Sequence, residues 1–397
     1  MISKNMKELV KGSSAIRAMF EEGKKMAEIY GAKNVYDFSL GNPNMPPPPE
    51  VTEELTDILK WEKPTFIHSY MNNAGYEDVR ETIAKAVNKK FNTQFEGKNI
   101  IMTVGAAGGL NVVLKTLLDP GDEVVVFAPY FGEYRVYVST FGGNLVVVPP
   151  HIPGFQPDLK AFEKAVTART KAVIVNSPNN PTGVVYSEDT IIKMAEILNN
   201  AQNMFKTDIY LISDEPYREL VYDGAVVPYI PKYYDNTIVG YSYSKSLSLP
   251  GERIGYIVIP DEIAGFEELS DGLTTANRIL GYVNAPSLMQ RAVARCENLD
   301  IKTDMTGYNK NREALYHGLL AAGYDCVKPQ GAFYLFVKSP IENDAEFCEA
   351  AKKYNILIVP GAAFACPGYV RIAYCVAYET IVAALPKFKE LIDEVNS

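Results

Sequence analysis

The sequence predicts an α/β fold: a mostly parallel sheet with helices on both faces, joined to a smaller α+β domain. Three observations predict it. Short apolar runs alternate with amphipathic helical segments between residues 100 and 260, the pattern of repeated strand–helix units. Those runs, EVVVF and KAVIV among them, are apolar on successive residues, which suits strands buried on both faces. A long helical stretch from Ser287 is then followed by strands and helices in mixed order, which sets a second, smaller unit apart.

Taken in order, residues 1–36 place Ala15, Ile16, Met19, Phe20, Met26, Ala27 and Ile29 near helical spacing and read as a terminal arm. GNPNMPPPP at 41–49 breaks the helix and runs extended. Helices are expected over 50–61 and from about Tyr76 to Lys90, with the polar loop SYMNNAGY between them. Strands follow at IIMTV, EVVVFAP, NLVVVPP, KAVIVNSP, DIYLISD, TIVGYSYS and RIGYIVIP. Helices at LNVVLKTLL, YFGEYRVYVSTFG, 158–168 and 187–202 connect the earlier ones. Residues 262–287 are less regular and read as a rim. One long helix, bent on the way, is expected from Ser287 through LLAAG, with further helices over 344–354 and 378–394. The chain thus divides into a large domain, 45–287, and a small domain made of 1–44 and 288–397.

The 397 residues carry a formal net charge of −9 and no block of lysine and arginine. That argues against nucleic acid as a partner, and against an anionic membrane surface. None of the five cysteines forms a CxxC pair, and their odd number fits a reducing compartment. The N-terminus MISKNMKELVKG has no uninterrupted apolar segment of signal-peptide length, and no stretch approaches the roughly 18 apolar residues needed to span a bilayer. A cytoplasmic protein is expected. The three histidines, His68, His151 and His317, show no metal-ligand spacing, and no metal site is expected.

Polar groups gather just past the predicted strand ends, where ligands bind in such sheets. GAAGG at 105–109, at a strand-to-helix junction, offers backbone N–H groups and a positive helix end to an anion, or is simply a tight turn. Asn176 and Asn180 lie in the rigid bend NSPNNPTG, where the Asn180 amide can donate to a phenolate-like oxygen. Asp214 ends an apolar strand and needs a donor or an opposite charge, unless it caps a turn. A protonated ring nitrogen would satisfy it, and Tyr217 could donate to a ring oxygen. Phe131 could cover a flat ring or pack in the core. Lys245 stands among Ser242, Ser244, Ser246 and Ser248, with Arg253 eight residues on. A desolvated lysine there could act as a Schiff-base amine, and Ser242 with Arg253 could hold a phosphate. Arg371, between apolar residues of a predicted strand, must pair or face a ligand, and its fork suits a carboxylate.

The stretches YMNNAGYEDVR, TVGAAGG, DPGDEVVVFAPYF, VNSPNNPTG, SDEPY, SYSKSLSLPGERIGY and VRIAY run in this order over nearly the whole chain. In them the sequence resembles the class I/II aminotransferases, fold-type I enzymes dependent on pyridoxal 5′-phosphate (PLP). The resemblance implies a seven-stranded sheet and a homodimer whose subunits share active sites. It implies that Lys245 holds the cofactor covalently and moves a proton between the substrate Cα and cofactor C4′. Asp214 would keep the pyridine nitrogen protonated, Asn180 and Tyr217 would bond the ring 3′ oxygen, and Phe131 would stack on the ring. The phosphate would meet Ala106, Ala107, Gly108, Ser242 and Arg253, with Tyr70 supplied by the second subunit. Arg371 would hold the substrate α-carboxylate, close to Gly41. The reaction implied is ping-pong exchange between an amino acid and a 2-oxo acid, with aspartate and 2-oxoglutarate the leading pair. Aromatic or neutral donors, and C–S β-lyase or other lyase chemistry, are the alternatives. Arg278 or Arg17 could bind a second carboxylate.

Overall fold

The computed structural model describes residues 1–11, 15–299 and 301–397. After a two-residue strand β1 (Tyr36–Asp37) come β2 (Ile100–Thr103), β3 (Glu123–Phe127), β4 (Asn144–Val148) and β5 (Thr170–Asn176). They are followed by β6 (Tyr210–Asp214), β7 (Thr237–Ser242) and β8 (Gly255–Val258). The last seven form one sheet in the order β2-β8-β7-β6-β5-β3-β4. β8 runs antiparallel to both its neighbours, and all other neighbours are parallel. The fold is therefore the α/β architecture the apolar runs announce.

Alternation along the strands sorts the sheet's two faces. Ile101, Val124, Ile174, Ile212, Ile238 and Ile257 pack under helices Gly105–Leu117 and Phe266–Ile279. On the reverse face, Val239, Tyr241, Tyr256 and Val258 pack under helices Pro49–Trp61, Glu77–Phe91 and Ser287–Asn298, and Val173 and Leu211 under Glu188–Phe205. Helix starts are marked locally. Asp158 accepts from Ala161 N and Ser187 from Thr190 N, caps worth about 1 kcal/mol each.

A second sheet, in the order β11-β12-β9, is antiparallel and built from β9 (Tyr334–Lys338), β11 (Val359–Pro360) and β12 (Tyr369–Ala373). β10 (Ile356–Leu357) pairs with β1 and so ties the N-terminal segment to this unit. Helices Thr306–Ala322 and Tyr378–Val395 cover it, around a core that includes Phe333, Phe347 and Phe388.

Two expectations are corrected. Residues 262–287 are not an irregular rim: Phe266–Ile279 is a helix with Leu269, Leu273 and Ala276 buried. Gly272 disguises it in sequence, yet that glycine is where the helix meets Thr116, since a Cβ there would lie 2.7 Å from the Thr116 methyl. The long helix from Ser287 is two helices, Ser287–Asn298 and Thr306–Ala322. Between them Thr303 Oγ1 donates to Ser246 O at 2.9 Å, and Asp304 accepts from Thr306 N to start the second helix. The expected boundary at 287 precedes a helix whose Met289, Ala292 and Val293 belong to the large sheet's core. Among the described residues no helix is long and apolar enough to cross a membrane.

Candidate active site

β5, β6 and β7 end side by side, with Asn176 opposite Asp214 and Asp214 opposite Gly240. Polar residues beyond these strands therefore meet at one edge of the sheet. Asp214 is buried, and its Oδ2 accepts from the Tyr134 hydroxyl at 2.5 Å. Its Oδ1 is buried with no partner among the described residues. Burial pushes this carboxyl up to about 7; the Tyr134 bond opposes the rise and Glu215 adds to it.

Asp214 faces a cavity of about 80 Å³ whose walls include Ala106, Ala107, Phe131, Asn180 and Tyr217. Residues from separate strand-end loops thus converge. The Asn180 amide N donates to Asn176 Oδ1 at 2.8 Å, and Asn176 Nδ2 donates to the Asp214 carbonyl at 2.9 Å. This locks the bend to the end of β6. Asn180 Nδ2 points at the Tyr217 hydroxyl, 3.5 Å away, and that hydroxyl meets Tyr334 at 3.0 Å. Phe131 stands edge-on to Tyr134, ring centres 5.6 Å apart.

Lys245 sits on the short helix Tyr243–Ser246, capped by Ser242, whose Oγ accepts from Ser244 N. Its Nζ donates to Gly41 O at 2.7 Å and lies 5.3 Å from the centre of the Phe333 ring. Burial lowers the ammonium to about 8; Cys375 opposes the shift, while Arg253 and Arg371 add to it. The amine is thus within reach of its neutral, nucleophilic form near physiological pH. Gly41 is itself tightly held, since a Cβ there would lie 1.9 Å from the Tyr334 hydroxyl oxygen.

Arg371, on β12, is buried. Its Nη1 donates to Asn180 Oδ1 at 3.0 Å and its Nη2 to Ser39 O at 2.5 Å, while Nε has no partner among the described residues. Its guanidinium lies between the Tyr334 and Phe364 rings, 4.6 and 4.9 Å from their centres. Among the described residues no carboxylate pairs with it. A buried cation without an anion is costly, and burial lowers its pKa.

At the other end of the cavity, helix Gly105–Leu117 starts with Ala106, Ala107 and Gly108 in its first turn. Arg253 Nη2 donates to Val104 O at 3.2 Å, and a Cβ on Gly105 (φ +78°) would lie 2.6 Å from it. Ser242 pairs with Gly255 across the strands, and a Cβ on Gly255 would lie 3.1 Å from Gly105 Cα. The helix N-terminus, Ser242 and Arg253 thus form one corner rich in donors.

Tyr70 is not brought to this cluster within one chain; it is 87% exposed. Its loop is strapped down by Asn73, which donates to Val283 O, and by Asn277 and Asn284, which donate to carbonyls at 71–73 and 102. Arg278 is exposed on the last turn of helix Phe266–Ile279. The side chain of Arg17 lies outside the described residues. Two site residues escape the sequence reading. Tyr134, in the first turn of helix Glu133–Thr140, and Tyr334, on β9, carry no local signal of their roles.

The donor set fits PLP. The unpartnered Asp214 Oδ1 calls for a proton donor in the cavity, Asn180 and Tyr217 offer polar atoms beside it, and the Gly105 corner suits an anion.

The sequence signature described as aminotransferase class I and II matches residues 33–387. A probable aspartate/prephenate aminotransferase of Thermus aquaticus is 33% identical over 360 residues, covering 89% of this chain and 90% of that protein. An aspartate aminotransferase of Thermotoga maritima is 29% identical, covering 95% and 96%. Among solved structures, an amino transferase from Eubacterium rectale superposes with a TM-score of 0.96 at 45% identity, over 100% of both chains. The aspartate aminotransferase of Thermus thermophilus with maleate gives 0.87 at 27% identity, over 98% and 99%. With the signature spanning most of its length and the same fold throughout, the chain belongs to the class I and II aminotransferase family.

Proposed function

We propose that this protein is a PLP-dependent transaminase that moves the amino group of an L-amino acid to a 2-oxo acid by ping-pong exchange. Aspartate is the leading donor and 2-oxoglutarate the acceptor. The observation that carries the reading is the buried Asp214 Oδ1, without a partner in a cavity already walled by Phe131, Asn180 and Tyr217. When bound, PLP supplies an electron sink for the carbanion formed at the substrate Cα. Asp214 would hold a proton on the ring nitrogen. Tyr217 and Asn180 would hold the ring's phenolic oxygen, and the first turn of Gly105–Leu117, Ser242 and Arg253 would take the phosphate. Lys245 Nζ, whose pKa burial lowers to about 8, would carry the proton removed from the substrate Cα.

Arg371 receives the α-carboxylate, which supplies the anion this buried guanidinium lacks. Arg371→Ala should lower kcat/KM for every amino acid by about 2–5 kcal/mol, mostly through KM; initial rates across donors check this. Unchanged kinetics would remove Arg371 from the site.

Aspartate leads because several relatives carry that donor in their names. For its second carboxylate we assign Arg278, exposed beside the strapped Tyr70 loop. We infer a homodimer sharing its sites, because Trp61, Phe66, Tyr70 and Ile279 are all at least half exposed and Tyr70 does not line the cavity of its own chain. Five free cysteines accord with a cytoplasmic setting.

The test is a single-turnover absorbance scan of the cofactor-loaded protein against each amino acid, then 2-oxo acids. Conversion by aspartate and glutamate, reversed by 2-oxoglutarate, supports the reading. Conversion by aromatic or neutral amino acids alone moves the donor class. Release of oxo acid with ammonia, without a reversible half-reaction, means a lyase.

A further inference from the structure

On the reverse face of the same strands lies a second, larger cavity of about 540 Å³, within the range of small-molecule sites. Its floor is made by β7 and β8, and its walls by helices Glu77–Phe91 and Ser287–Asn298. Two turns close it towards the candidate active site. Tyr243 and Ser246 line it from the turn that carries Lys245, and Glu215 and Arg218 from the turn that carries Asp214 and Tyr217.

The lining is aromatic. Tyr241 stacks on Tyr256 at 4.8 Å and Phe91 on Tyr229 at 3.9 Å. Its charges are unevenly matched. Glu215 pairs with Arg218 and Glu219 with Lys90, and Glu297 accepts from the Tyr243 hydroxyl at 2.9 Å, while Lys302 has no ion pair among the described residues. Among the described residues the buried Tyr229 hydroxyl has no partner, and the Tyr256 side chain makes no hydrogen bond. Burial keeps both phenols protonated. Two O–H donors inside an aromatic cavity, with the exposed Lys302 ammonium on its lining, suit a ligand with an aromatic ring and an anionic acceptor.

We propose that this cavity is a second binding site, for a small aromatic carboxylic acid, with its ring against Tyr241 and Tyr256 and its carboxylate towards Lys302. Its occupant stiffens or displaces the Lys245 and Asp214 turns and so changes turnover without competing with the amino acid. The effect on turnover rests on the transaminase reading; the binding does not.

The test is calorimetric titration of the cofactor-loaded protein with 3-phenylpropionate, which has no amino or oxo group to exchange. Ala86→Trp fills the cavity from its wall, Lys302→Glu reverses the exposed charge, and Arg371→Ala disables the other carboxylate site. Kd should rise at least about tenfold in the first two and change less than about threefold in the third. Binding lost in Arg371→Ala and kept in the cavity variants overturns the proposal. So does the absence of heat up to about 10 mM, or purely competitive inhibition against the amino acid. If Ala86→Trp does not fold, Lys302→Glu decides alone. Failure of the transaminase reading shows separately, as no spectral response to any amino acid.

Discussion

Lys245→Ala should fold and turn over at least about 10⁴-fold more slowly. The fold tolerates the change because the lysine makes a single hydrogen bond, to Gly41 O, and its burial opposes its charge. The linkage sign agrees. A lysine lowered to about 8 from 10.5 releases its proton more readily in the folded protein. Its burden on stability is therefore full below pH 8 and is relieved as pH rises towards 10.5. Without cofactor, the variant should be more stable than the parent at pH 7 and lose that advantage by pH 10.5. Circular dichroism melts across this range, with steady-state rates, check both halves. Full turnover by the variant would remove Lys245 from the chemistry.

Asp214→Asn should lower kcat by about 10²–10³-fold, because a neutral amide cannot hold a positive ring nitrogen in an apolar cavity. Its effect on the cofactor-free protein should have the opposite direction. The folded carboxyl titrates at about 7 against 3.8 in the open chain, so the native state holds an extra proton between those values. That contribution to stability is complete below about pH 4 and lost as pH rises through 7. The asparagine variant has no such loss, so the cofactor-free protein should melt higher than the parent at pH 8 and equal to it near pH 4. Scanning calorimetry at the two pH values is the check. Equal melting at pH 8 would mean that Asp214 has a solvated or paired environment after all.

Apart from the half-exposed edge strand β4, the strands of the large sheet were legible because they are buried on both faces, and their apolar runs needed no alternation to be seen. The strand-end polar groups were legible too, since a carboxylate or an asparagine closing such a run has few innocent explanations. What sequence could not reach are pairs made at a distance. Tyr134 is one tyrosine among 26, and only the fold sets it on an aspartate 80 positions away. Tyr334 gains meaning from contact with Tyr217 and Gly41, neither of them near it in the chain. The helix at Phe266–Ile279 was hidden by a glycine that serves packing, which local propensity counts only as a breaker. The separation of helices Ser287–Asn298 and Thr306–Ala322 was hidden because the partner of Thr303, Ser246, lies in another element. The reverse-face cavity left no mark at all, because a void is a property of packing and not of any residue.

The Arg371 guanidinium bridges Asn180 and the carbonyl of Ser39, partners 191 and 332 positions away in the chain. Loop closure over such spans is paid late in folding. During synthesis, which runs from the N-terminus, Ser39, Asn180, Asp214 and Lys245 all leave the ribosome before the side chain that joins the first two. A growing chain can thus complete the large sheet and the corner formed by Gly105, Ser242 and Arg253 while the link that Arg371 makes between Asn180 and Ser39 is still unmade.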